Sequence, residues 1–95
     1  MTTIEVRQTA GGGSSAFEVT VRDGGGATQH HVSARAADLA RLAPDTAPAR
    51  LIEAAFRFLL DREPKESILR RFDLTDIGRY FPEFEREVGG YLNPR

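Results

Sequence analysis

The chain contains no cysteine. That excludes disulfides, thiolate metal sites and a cysteine nucleophile, and it agrees with a reducing compartment. It contains a single lysine, Lys65, so its basic charge is almost all arginine, as in proteins from GC-rich genomes. No stretch approaches the roughly 20 apolar residues that a membrane-spanning helix needs. The first residues, Met1 to Arg7, alternate polar and apolar instead of forming the apolar run of a secretory signal. Charge of one sign is not in excess either. The net charge is −1, which gives no global attraction to nucleic acid or to an anionic membrane. Residues 1–33 carry two basic and three acidic side chains, and residues 34–95 carry eleven of each. The expectation is a cytoplasmic protein with no membrane segment and no charged tail. Ninety-five residues form one domain, because a chain of this length has room for a single core.

The strongest pattern present is helical and runs from Arg50 to Glu63. On a wheel of about 100° per residue, Leu51, Ile52, Ala54, Ala55, Phe56, Phe58, Leu59 and Leu60 cover well over half the circumference. A surface helix has an apolar stripe only somewhat wider than 100°, so this helix is expected to be covered from more than one side. Arg50, Glu53, Arg57 and Asp61 share the remaining stripe. Glu53 with Arg57, and Arg57 with Asp61, are spaced for pairs worth about 0.2–0.5 kcal/mol each. Asp45 or Thr46 is placed to cap the first turn, Pro48 fits it, and Pro64 ends the helix at Glu63.

The N-terminal third reads as strands. Ile4 and Val6 alternate with Glu5 and Arg7, and Phe17, Val19 and Val21 alternate with Glu18, Thr20 and Arg22. Gly11-Gly12-Gly13 and Asp23-Gly24-Gly25-Gly26 read as hairpin loops. Ala27 to Val32 is a third, weaker strand. Ser33 is placed to cap a helix reaching Leu42. After Pro64, Ile68, Leu69 and Phe72 predict another helix. Asp73, with Asp76 three positions on, predicts a capped short helix carrying Leu74, Ile77, Tyr80 and Phe81. Pro82 breaks it and opens a last helix through Phe84, Val88, Tyr91 and Leu92, which Gly89-Gly90 is expected to fray or end. The fold class is therefore α+β. A three-stranded antiparallel meander (residues 2–33) is followed by a helical half (34–92) on one face of the sheet, with 93–95 a loose tail.

The run Glu63-Pro64-Lys65-Glu66-Ser67-Ile68-Leu69-Arg70-Arg71-Phe72-Asp73-Leu74, with Ile77 and Tyr80-Phe81-Pro82-Glu83-Phe84 after it, resembles the C-terminal part of a group of short bacterial proteins with no assigned activity. The resemblance covers about the last half of the chain. It implies a bacterial origin and a shared fold, and it brings no catalytic residue.

Reactive chemistry is sparsely represented. His30 and His31 are adjacent on a strand, so they point to opposite faces and make a poor pair of metal ligands. The two glycine runs lack the Lys-Ser/Thr and the strand-to-helix setting of a phosphate loop. Ser14, Ser15, Ser33 and Ser67 have no base or orienting group in a recognisable context. No catalytic residue, metal site or cofactor-binding motif is assigned. Arg70 and Arg71, with Lys65 and Arg79, form the densest basic stretch. Glu63, Glu66, Asp73 and Asp76 are interleaved with it, and local ion pairing is expected. Tyr80, Phe81 and Phe84 flank Pro82 and would form a docking patch if exposed together.

The functional reading is a small non-catalytic interaction or regulatory module that binds another protein, with Tyr80, Phe81, Phe84, Arg70, Arg71 and Arg79 as its patch. The alternative is a nucleic-acid-binding regulator. The order strand Thr28–Val32, helix Ser33–Leu42, helix Pro48–Glu63 is similar to the ribbon-helix-helix element, although this strand carries no lysine or arginine. A third reading, a small enzyme, requires a concave pocket with convergent polar groups.

Overall fold

A computed structural model describes residues 1–92. The expected tail, 93–95, lies outside the described residues. Three long strands come first: β1 (Thr3–Ala10), β2 (Ser14–Asp23) and β3 (Gly26–Arg35). They pair antiparallel through two hairpins. The second hairpin closes on Gly24 and Gly25, and Gly26 sits at φ 120°, a conformation costly for any residue with a Cβ. Helices α1 (Ala36–Leu42) and α2 (Pro48–Leu60) follow.

Among the described residues the sheet has four strands, not three. β4 (Arg71–Asp73) lies beside β3 and parallel to it, and the strand order is β1-β2-β3-β4. The segment carrying Ile68, Leu69 and Phe72 is thus not a helix. It is a 3₁₀ turn (Lys65–Ser67) leading into extended chain. The spacing of those three residues fits a helical face, but β3 would otherwise expose unpaired backbone groups along its outer edge. β4 satisfies part of that edge, for example where His31 N–H donates to the Arg70 carbonyl at 2.7 Å. A parallel neighbour needs a crossover connection, and α1 and α2 supply it.

Two cap assignments also change. Strand β3 continues to Arg35, so Ser33 is not a helix cap; its hydroxyl donates to Asp73 of β4 at 2.7 Å. Helix α2 starts after Ala47 with no side-chain cap, so neither Asp45 nor Thr46 has that role. It ends at Leu60, and a turn through Asp61 and Arg62 carries the chain to Pro64. The capping box at Asp73 and Asp76 is formed as the sequence predicts, over the 3₁₀ turn Leu74–Asp76 that leads into α3 (Ile77–Tyr80). Helix α4 (Phe84–Leu92) runs through Gly89 and Gly90 without ending there. Val88, Leu92 and Tyr91 anchor the turns on either side.

The breadth of the apolar face of α2 is used on two sides. Toward the sheet, the Phe56 ring packs at a tilt against His30, 5.3 Å between ring centres, and against Phe72, 5.9 Å away. Toward the C-terminal helices, Phe58 meets Phe81, Phe84 and Tyr91 edge to face, a geometry that aromatic quadrupoles favour. Its polar stripe is partly self-paired: Arg57 holds Glu53 at 2.9 Å, while Arg50 donates to the Leu92 carbonyl and Asp61 accepts from Tyr91.

Candidate functional site

The residues of the sequence-derived patch do not form one surface. Phe84 is fully buried against Phe58 and belongs to the core. Phe81 is half-buried beside it, whereas Tyr80 is 68% exposed. Pro82 explains the split, because the chain turns at Phe81 and starts α4 with Phe84 pointing inward. Arg70, Arg71 and Arg79 are exposed. The expected local ion pairing of the first two does not occur. Glu66 pairs with Lys65, Asp73 accepts from Ser33 and Thr75, and Asp76 caps Asp73 N and lies 4.0 Å from Arg79. Arg70 and Arg71 are left without an ion-pair partner among the described residues.

Tyr80 and Phe81 line a groove of about 380 Å³, within the roughly 300–1,000 Å³ of ordinary ligand clefts. Its floor is Leu59, Ile68, Phe72 and Ile77, and its lips are Leu69 and Tyr80. Leu69 is 51% exposed, and with Tyr80 and the terminal methionine it makes up the exposed large apolar side chains among the described residues. The elements that build the groove meet only in the fold. The end of α2 gives Leu59 and the turn after it Glu63, the segment entering β4 gives Ser67 to Leu69, and the Asp73–Asp76 box turns the chain so that Ile77, Tyr80 and Phe81 close the far side.

Two carboxylates stand in this apolar setting. Asp76 is held by the capping box. Glu63 is half-buried, and no described residue donates to it; burial alone pushes its carboxyl above the usual range. The position of Leu69 is fixed from behind. Its carbonyl accepts from His30 Nδ1 at 2.8 Å, and His30 Nε2 lies 2.9 Å from the Thr28 hydroxyl. A carbonyl can only accept, so Nδ1 carries the proton of the neutral ring and Thr28 donates to Nε2. Burial lowers the His30 pKa below its ordinary 6.5.

Sequence reasoning missed Leu69 and Glu63 as site residues. The one signal for Leu69 was a large apolar residue flanked by Ser67, Arg70 and Arg71. For Lys65 sequence reasoning expected local pairing, which is formed with Glu66, but not the bond to Asp23, and it did not single out Arg62. Lys65 is buried and bonds Asp23 at 2.9 Å and Glu66 at 2.6 Å, tying the β2–β3 turn to the base of the groove wall. Arg62 lies 3.6 Å over the Phe58 ring and donates to Glu83 and Glu87, so its cation faces both the aromatic ring and carboxylates.

The opposite surface is the sheet's outer face. His31 is exposed there, beside Ser33, Arg35, Arg71 and Asp73. Strand β3 lies between β2 and β4, so it has no free edge at 31–33 for the ribbon pairing of a ribbon-helix-helix dimer. No three His, Asp or Glu side chains among the described residues are grouped to hold a metal ion. No described helix is long and apolar enough to cross a membrane. Compared with protein-family models, curated proteins and solved structures, the chain finds no match.

Proposed function

We propose that the protein is a small, non-catalytic interaction module of a bacterial cytoplasm whose groove receives a segment of another protein. The observation that carries this reading is the groove itself, where Leu69 and Tyr80 stand exposed over a floor of Leu59, Ile68, Phe72 and Ile77. Large apolar side chains held out of the core on both sides of one cleft are a marker of a docking site. Charge complementarity defines the occupant. Among the described residues no cation faces Glu63, and Asp76 has only the exposed Arg79, 4.0 Å away. A segment presenting a large apolar side chain with an arginine or lysine beside it fills the cleft and supplies the missing charge. Arginine forms paired bonds to a carboxylate and is favoured in that role.

A random-peptide display selection against the protein, counter-selected with the Tyr80→Asp variant, tests the reading. The enriched peptides are expected to combine an apolar anchor with arginine or lysine, and to bind Glu63→Gln less tightly than the parent. Enrichment of acidic peptides, or of peptides that bind Tyr80→Asp equally, would count against it. Phe84→Arg is unsuitable as a probe, because it places a charge in the core.

A second reading rests on the outer face of the sheet. Arg35 and Arg71 project beside His31 without ion-pair partners among the described residues. Unpaired arginines of this kind suit phosphates of nucleic acid, and such binding falls steeply with salt. Absence of binding to duplex DNA or RNA at low salt would remove this reading and leave the groove unaffected.

A further inference from the structure

We propose that strand β1 pairs with β1 of a second copy, joining two sheets across a twofold axis. This surface is separate from the groove. Among the described residues β1 is the terminal strand of the sheet, hydrogen-bonded only to β2. An edge strand presents free N–H and C=O groups and is a template for another strand unless something blunts it. The usual guards are lysine, proline, inward-pointing charge and a bulge. β1 has no lysine and no proline, and its inward residues from Thr3 to Gln8 are uncharged: Ile4 and Val6, both half-buried against the core, and Gln8. A bulge is present, but it falls between Gln8 and Ala10 and leaves the stretch from Thr3 to Gln8 regular.

The charges on this stretch are self-complementary. Glu5 and Arg7 share the outer face and lie on either side of Val6. In an antiparallel pair centred on Val6, residues whose numbers add to twelve face one another. Glu5 then faces the partner's Arg7, Arg7 faces the partner's Glu5, and Val6 meets the partner's Val6 on the inner face. Opposite charges directly across a strand pair are favourable and like charges are not. Sliding the partner by two residues either way sets Glu5 against the partner's Glu5 or Arg7 against the partner's Arg7. A slip of one residue sets charged side chains against the apolar face. The register centred on Val6 is therefore the one that sets opposite charges against each other on the outer face; on the inner face it places Ile4 opposite the partner's Gln8.

The neighbouring charges extend the row. Within one chain Arg7 already pairs with Glu18 at 2.9 Å, and Arg22 lies 3.6 Å from Glu5. Dimerisation links them into an alternating row: Arg22, Glu5, the partner's Arg7 and the partner's Glu18. The contact is isologous, so it closes as a dimer and does not propagate.

Sedimentation equilibrium over about 1 μM to 1 mM, the span of weak to moderate interface affinities, tests the proposal with a charge exchange. The unaltered protein should pass from a monomer to a species of twice its 10.5 kDa mass. Glu5→Arg alone and Arg7→Glu alone should each stay monomeric, since each repels itself across the axis. An equimolar mixture of the two variants should dimerise again, because the mixture restores opposite charges at both positions. Both substitutions are at exposed sites whose ion pairs contribute little to stability, and circular dichroism should show native folding. A monomer throughout the range, or dimers that persist in both single variants, would overturn the proposal. A mixture that remains monomeric would overturn it as well.

Discussion

His30 on strand β3 donates through Nδ1 to the main-chain carbonyl of Leu69, 2.8 Å away and 39 residues later in the chain. One bond thus links the buried face of the sheet to a lip of the groove. The ring also packs against Phe56 at a tilt, so it is held by the core and in turn holds the segment that enters β4.

That arrangement predicts a pH dependence of stability. The folded His30 pKa lies below the ordinary 6.5 because burial disfavours the charged ring. The unfolded chain therefore binds the proton first, and stability falls as pH drops below about 6.5 toward the folded value. Glu63, whose carboxyl is raised by burial, acts in the opposite sense. The lowered carboxylates Asp23, Glu66, Asp73 and Glu83 lose their contribution only below their ordinary values of 3.8 to 4.5. Thermal melts from pH 8 to about pH 5 should show a declining midpoint. His30→Phe should be less stable at pH 8 by about 1–3 kcal/mol, the cost of unpaired buried groups, and should lose the decline between pH 6.5 and 5. An unchanged slope would place the titration elsewhere.

The double-sided burial of α2 predicts large losses on truncation. Phe56→Ala and Leu59→Ala should each cost about 2–5 kcal/mol by denaturant unfolding, against the 5–15 kcal/mol that domains of this kind possess. Losses below about 0.5 kcal/mol would mean that the core is not centred on α2.

Asp73 joins three elements through one carboxylate. It caps the 3₁₀ turn through Thr75 and accepts from Ser33 on β3. Burial raises its pKa, but the bonds from Thr75 and Ser33 outweigh this and the net shift is downward. Asp73→Ala should cost about 0.5–2 kcal/mol, as for the loss of an N-cap. Amide exchange should accelerate at Thr75 and Ile77 ahead of β2.

Lys65 carries the tie between the β2–β3 turn and the segment before β4. Lys65→Met should lower the melting temperature. In a double-mutant cycle with Asp23→Asn, the two losses should sum to more than the double variant shows, because both single changes remove the same bond. Simple additivity would show that the bond contributes nothing.

How much of this was legible in the sequence depended on the range of the interactions involved. The meander, the α2 face and the Asp73 capping box are set by contacts within a few residues, and their periodicity or spacing is visible directly. β4 is three residues long and exists because β3 has an edge to satisfy, which no local pattern announces. Ser33 shows the same limit: its residue type suits a helix cap, but its real partner is Asp73, 40 positions away. In the site, Tyr80 and Phe81 were legible as aromatics beside a proline. Phe84 read the same way, yet Pro82 turns it inward. Glu63 and Leu69 were hidden because their meaning comes from the groove they share, which forms only when the β4 segment returns beside α2.

The central claim is that a basic, apolar segment of a partner binds between Leu69 and Tyr80 against Glu63. Amide chemical-shift mapping with a display-selected peptide tests it most directly. The account predicts shifts concentrated at Glu63, Ser67 to Leu69 and Asp76 to Phe81, and their loss in Tyr80→Asp. Shifts confined to His31, Ser33, Arg35 and Arg71 on the outer face, with the groove signals unmoved, would contradict it.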